Sequence, residues 1–361
     1  MQPPPSDLRA LRLLLNGLGG IGPVSARRLQ DAFGGDLRRA LQADAKALQS
    51  VRGLTKPMIA SLLRRDFDHA AELRRAEELG FRILHADDPA WPEALRQLWD
   101  PPLVLYAEGS AVPDNRAVAI IGSRHCTPYG AGLARALARD LARLGWWIVS
   151  GLARGIDFAA HEGALEAEGR TVAVLGHGLD LTYPPEALKL RRRMTERGGV
   201  LSEFPLGRPA DRQTFPQRNR LVAGLAQAVV VVETDVDGGS MITARFAGDQ
   251  GKTLCAVPGR VDSPTSRGCH ALIREGATLV ASLDDILAEL GEPRGQLTLP
   301  LEKLDAMDAR WLRHFGGGSA HDSESLAQAG GCGHAEAAVA LTMLEIKGLL
   351  IRRTDGRHER A

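Results

Sequence analysis

The chain has 361 residues, 44% of them apolar, with a formal net charge of +1. That length suits two or three domains with sizeable cores, and the near-neutral balance excludes a uniformly basic nucleic-acid binder, so any such surface is a local patch. The low aromatic fraction of 4% limits how many bases stacking can hold, and no apolar run reaches the roughly 18 residues of a membrane span.

The start, Met1 to Ser6, lacks the succession of a signal peptide, and Cys126, Cys255, Cys269 and Cys332 show no C-x-x-C spacing. The expectation is a soluble cytoplasmic protein without a zinc site or disulfide framework.

Residues 1–70 read as a helical domain. Apolar residues recur at helical spacing on both sides of Gly17-Leu18-Gly19-Gly20-Ile21-Gly22. This resembles a helix-hairpin-helix, whose glycine turn offers backbone N–H groups to a DNA phosphate. A poorer copy spans Leu48 to Leu63, with Gly53 in its turn. Such pairs also serve as packing or protein-contact modules, and both roles stand open. Residues 71–116 read as a connector, broken by Pro89, Pro92, Pro101 and Pro102, with a short strand near Leu103 to Tyr106.

From 117 to 292 apolar runs alternate with helical patterns, which predicts a Rossmann-like, doubly wound, mainly parallel sheet. Strands are expected near AVAIIG, WWIVSG, TVAVLG, GVLSE, AVVVVE, TLCAVPG and ATLV. The first six end in turns rich in Gly, Ser or Arg, and six such turns at one sheet edge make a polar cleft.

The first turn is Gly122-Ser123-Arg124. A glycine that admits an anion, a following helix N-terminus and an arginine fork make a phosphate grip. The plainer reading is a connecting turn with a solvated arginine. This turn carries no G-x-G-x-x-G and no Walker lysine, which argues against a bound cofactor there. After the second strand, Asp157 and His161 share a helix face, either as metal ligands or an acid/base pair, or as a local polar pair that fixes the turn. His177 lies between two glycines, where a ligand can pass or where the loop needs unusual backbone angles.

Lys189 to Arg220 carries nine basic and three acidic side chains, a net +6 over 32 residues. Within it, FPQRNR gathers Phe215 for stacking, Arg218 and Arg220 for phosphate, and Asn219 for a base edge. After the fifth strand, Glu233 is placed to bond a base or a cleft arginine, and Gly238-Gly239-Ser240 opens a second anion-binding turn. Residues 291–300 read as a linker. Residues 301–361 read as a winged helix, with Arg352, Arg353, Arg357 and Arg360 along DNA phosphates or, alternatively, as a protein-contact module.

Together these turns resemble the DNA-processing protein A family, also called DprA or Smf. The matching segments are AIIGSR with Tyr129-Gly130, IVSGLARGID with Ala160-His161, AVLGHGLD with Tyr183-Pro184, LSEFPLG, FPQRNRLVAGLA, VVVVE, GGSMITA, AVPG and GCHALIREGA. They follow family order, and the helical start and winged end extend the likeness over nearly the whole chain. His270 departs from the asparagine usual after Cys269, which puts one local turn in doubt.

The resemblance implies a non-catalytic protein of natural transformation that binds incoming single-stranded DNA and shields it from nucleases. It also implies loading of a RecA-type recombinase past the single-strand-binding protein, and a homodimer formed through the Rossmann-like domain. By motif position the phosphate contacts are Gly122, Ser123 and Arg124, with Gly239 and Ser240 opposite. Phe215, Arg218, Asn219 and Arg220 shape the strand pocket, and Lys189 joins them without a motif to fix it. The rival is a Rossmann-like nucleotide phosphoribohydrolase. That family expects P-G-G-x-G-T-x-x-E, where this chain has DGGSMITAR and lacks the glutamate.

Overall fold

The computed structural model describes residues 5, 7–110, 112–292, 306–315, 319–346, 349–353 and 355–360. The chain divides into two compact units, Met1–Pro293 and Arg294–Ala361.

The larger unit is organised by a sheet that contains nine strands among the described residues: β1 (Arg82–Leu84), β2 (Leu105–Gly109), β3 (Ala117–Ile121), β4 (Trp147–Ser150), β5 (Thr171–Leu175), β6 (Gly199–Ser202), β7 (Ala228–Val231), β8 (Thr253–Ala256) and β9 (Thr278–Leu279). The order across the sheet is β1-β2-β6-β5-β4-β3-β7-β8-β9. Every pair from β6 to β9 is parallel, and β1 and β2 add an antiparallel edge. The Rossmann-like sheet expected from the alternation is therefore present.

β3 explains why its sequence is an unbroken apolar run. Ala117, Ala119 and Ile121 pack on one face against Leu221 and Val222, and Val118 and Ile120 pack on the other against Ala134, Leu137 and Ile156. A strand covered on both faces has no polar positions to alternate with. Complete burial of a side chain such as Ile120 contributes roughly 1.5–3 kcal/mol relative to exposure.

The stretch 71–116 is more than a connector, because it supplies β1 and β2. The prolines that mask it in sequence lie outside the two short strands. The helices of residues 8–64 have their own core, including Leu11, Leu15, Leu29, Leu41 and Leu62. They are also tied to the sheet. Leu13 and Ala76 pack with Tyr106 and Leu175. The buried Glu72 carboxylate accepts from Tyr106 Oη (2.7 Å) and Leu206 N (2.8 Å).

The smaller unit contains helices Ala306–Leu312, Ser323–Gly330 and His334–Ile346, then antiparallel β10 (Leu350–Arg352) and β11 (His358–Arg360). Its core includes Trp311, Leu326, Leu344 and Leu350. His321 bridges to His358 through two backbone bonds of 2.9 and 2.7 Å. Arg352, Arg353 and Arg357 are exposed. Most of the stretch read as a linker, 293–300, and the start of the winged-helix reading, 301–305, lie outside the described residues, as does all of Met1–Ser6 except Pro5. Among the described residues no helix is long and apolar enough to cross a membrane.

Candidate nucleic-acid interface

The chain runs from β3 outward through β4, β5 and β6, then returns to lay β7 against the other side of β3. Loops leaving the carboxyl ends of β3 and β7 therefore part in opposite directions and open a crevice. The strand ends are level, with Ile121 opposite Val231. Pairing continues past them: Val232 N donates to Ile121 O (3.0 Å) and Ser123 N to Glu233 O (2.6 Å). The two turns are thus zipped side by side beneath a cavity of about 460 Å³.

Eight of the ten expected residues line that cavity: Gly122, Ser123, Arg124, Phe215, Arg218, Asn219, Gly239 and Ser240. Lys189 is exposed on the Leu188–Arg197 helix and is not part of the lining. Arg220 is also outside it. Its buried guanidinium pairs with Glu203 and with Asp100 at 3.3 Å, so this arginine is an internal ion pair rather than a phosphate contact.

Arg124 is exposed and has no hydrogen-bond or ion-pair partner among the described residues. Its guanidinium carbon lies 4.7 Å from the Phe215 ring centroid. Tyr183 continues the row 6.0 Å from Phe215, at a tilt of 42°. Arg212, also exposed and unpaired among the described residues, lines the same cavity and was hidden in the sequence within the basic run.

Arg218 is different. It is buried, and it donates to Gly151 O (2.6 Å), to Val174 O and to Asn219 Oδ1 (3.0 Å). Burial, reinforced by Arg124 and opposed by Asp157, lowers it to about 10. Arg218 therefore presents a fixed buried charge at the cavity floor. The Asn219 amide is bonded at both ends, to Arg218 and weakly to Gly239 O at 3.5 Å, so it braces the turn and is not a free base-edge reader.

The helix after β3 corrects a second expectation. Its N-terminus is already occupied: the Glu233 carboxylate accepts from Thr127 N (2.8 Å) and Thr127 Oγ1 (2.6 Å), and Thr127 Oγ1 accepts from Gly130 N (3.1 Å). The protein thus places its own anion where the first turn promised a phosphate. Among the described residues the Glu233 carboxylate pairs with no cleft arginine. The helix Gly239–Asp249 behind the second turn has no side-chain cap and opens on the cavity. Ser240 Oγ donates to Thr234 Oγ1 (2.7 Å), which locks that turn.

Gly122 is required by packing. A Cβ there would lie 2.6 Å from Ile156 Cγ1 and 2.9 Å from Glu233 O. Gly155, at φ +78°, lets its loop press against the Ser123 and Arg124 backbone.

Asp157 and His161 do not form a pair. The Asp157 carboxylate accepts from Gly151 N (3.0 Å) and Ala153 N (3.2 Å), and burial raises its pKa against the pull of Arg218. His161 is fully buried and bonded through Nδ1 to Thr171 Oγ1 (2.7 Å). His177 is buried too, neither neighbouring glycine has a positive φ, and Ser202 Oγ closes the loop by donating to His177 O (2.7 Å). His270 Nε2 lies 3.0 Å from Gly259 O, so the histidine closes its local turn.

Four of the nine basic side chains of the segment 189–220 are paired with carboxylates. Arg191 bonds Glu108 (2.7 Å), Arg197 pairs with Glu168 (3.2 Å), Arg208 with Asp211 (2.5 Å) and Arg220 with Glu203. Among the described residues no three His, Cys, Asp or Glu side chains converge as metal ligands would.

A doubly wound, mainly parallel sheet with a crevice at its switch point defines a protein of the Rossmann-like class. The family model described as DNA recombination-mediator protein A matches residues 82–291, and the chain belongs to that family. It is 39% identical over 316 residues to the putative DNA processing protein DprA of Mycobacterium tuberculosis, covering 81% of each chain. The X-ray structure of DNA processing protein A from Streptococcus pneumoniae matches with a TM-score of 0.65 and 32% identity over 78% of this chain and 97% of that one. The Helicobacter pylori DNA processing protein A, solved for its single-stranded DNA binding mode, matches with a TM-score of 0.52 and 33% identity over 58% of this chain and 95% of that one.

Proposed function

We propose that the switch-point crevice holds single-stranded DNA, and that the protein protects such DNA during natural transformation and helps load a RecA-type recombinase onto it. The observation that carries this reading is Arg124: an exposed arginine, free of any carboxylate among the described residues, stacked on Phe215 beside an uncapped helix N-terminus. Guanidinium groups suit phosphates and rings suit bases, and a single strand presents both in alternation. The single-stranded DNA binding of the H. pylori relative supports the same ligand.

The reading is non-catalytic. The acid at the end of β7 is engaged as a helix cap, which gives a phosphoribohydrolase no support. Action as a cytoplasmic homodimer, with displacement of single-strand-binding protein, belongs to the same proposal. The test is Arg124→Ala, titrated with a labelled single-stranded oligonucleotide across a salt series. Loss of one phosphate contact weakens binding and makes the log–log salt slope shallower by about 0.7. Unchanged affinity and slope would sink the proposal.

A further inference from the structure

The crevice has a neighbour. A second cavity, of about 30 Å³, lies where the loops after β4 and β5 meet, and Arg154, Tyr183 and Pro184 line it together with Arg124, Phe215 and Arg218 of the crevice itself. The stacked Arg124 and Phe215 side chains line both spaces, so this stack is the partition between them. In the sheet, β4 and β5 follow β3 on the side away from β7. The second cavity therefore continues the crevice along the same sheet edge.

Its walls have the chemistry of a nucleotide site. Three guanidinium groups face one small space, with no carboxylate among the described residues that line it. Arg218 is 4% exposed. Its Nε and Nη1 are bonded, whereas Nη2 has no acceptor among the described residues. Arg154 is exposed, and its partner is the equally exposed Glu186. A surface pair of this kind is weak, so a phosphate can draw the guanidinium away from it.

The loop that carries Arg154 has a shape set by packing. Its buried Leu152 takes φ +54°, a conformation that leucine seldom adopts. Tyr183 is half-exposed and stands 6.0 Å from Phe215 at a tilt of 42°. The two rings thus form an open wedge rather than a closed stack.

We propose that this cavity is a second nucleotide subsite, a reading that rests on the single strand proposed for the crevice. One nucleotide lies in the crevice. The phosphate of the next passes the Arg124–Phe215 partition and is held by Arg154 and Arg218, and its base stacks on Tyr183. Stacking uses the flat face that every base has, so the subsite takes an unpaired nucleotide of any sequence. In a duplex the bases are stacked on one another inside the helix and offer Tyr183 no free face.

The test titrates the full chain with a labelled oligothymidylate of about 15 nucleotides, read by fluorescence anisotropy over a salt series. The variants are Arg154→Ala, Tyr183→Leu and Tyr183→Phe, with Arg124→Ala alongside, and all three positions are exposed. Arg154→Ala weakens binding and makes the log–log salt slope shallower by about 0.7, because a phosphate contact is lost. Tyr183→Leu weakens binding by about 5-fold or more and leaves the slope unchanged, because stacking is not ionic. Tyr183→Phe restores that loss, since the ring and not the hydroxyl holds the base. The subsite is overturned, with the crevice reading intact, if Arg124→Ala weakens binding while either Arg154→Ala or Tyr183→Leu keeps the parent's affinity. It is also overturned if Tyr183→Phe binds as poorly as Tyr183→Leu. If Arg124→Ala itself changes nothing, the crevice reading falls and the subsite falls with it.

Discussion

The same side chain plays opposite parts at different positions of this protein. Arg124 is a free cation, Arg218 a buried charge fixed by carbonyls, and Arg220 one half of an internal pair. His161 shows the cost of such burial. Thr171 Oγ1 donates to Ile148 O (2.8 Å), so it accepts from His161 Nδ1–H, and the remaining ring nitrogen, Nε2, is buried without a partner. Protonation there would add an uncompensated charge close to Arg218, and burial with that neighbour lowers the His161 pKa from 6.5 to about 3. Between those values the unfolded chain binds a proton that the folded chain refuses. The stability linked to His161 is therefore complete above about pH 6.5 and is lost as pH falls toward 3, by roughly 5 kcal/mol at most. Urea midpoints of the parent protein and His161→Leu should converge toward acid pH, and parallel pH profiles would refute this account.

Among the elements, the helix Pro128–Arg143 depends on a residue from a different strand end. Glu233 lies more than a hundred positions from Thr127 in sequence, yet its carboxylate completes that helix's first turn. Glu233→Ala strands a part-buried N–H and should lower stability by about 1–3 kcal/mol, with Glu233→Gln intermediate, as read by denaturant unfolding. An alanine variant as stable as the parent would remove Glu233 from the cap. This link explains what the sequence could and could not show. The strands of the parallel sheet were legible because a doubly covered strand has to be apolar throughout. β1 was not, because an edge strand of three residues leaves too short a pattern, and β2 was legible only in its first two residues, where the short strand expected near Leu103 to Tyr106 overlaps it. The crevice residues were legible as turn motifs at strand ends. The partners of Arg220 and Glu233 were not, because carboxylates and arginines look alike in sequence whether solvated, paired or capping.

At the scale of the whole molecule, the helical start is structurally joined to the sheet domain. Leu13 fills part of the sheet-face core, and Glu72 is the acceptor for Tyr106 Oη and Leu206 N. A chain beginning at residue 75 loses both, so it should unfold at a lower urea concentration than residues 1–293, and equal midpoints would show the two parts to be independent. The helical domain as read in the sequence ends at residue 70, whereas the burial continues across that position.

One consequence concerns inheritance. The loops after β3 and β4 interlock: Gly122 leaves room for Ile156, Gly155 leaves room for the Ser123 and Arg124 backbone, and Ile156 N donates to Ser123 O (3.3 Å). A side chain added at either glycine displaces the loop that carries Arg124, so neither position can drift alone. An inherited change at Gly122 or Gly155 is therefore expected only together with a change in the loop facing it, whereas the exposed Arg124 side chain can change without disturbing that floor.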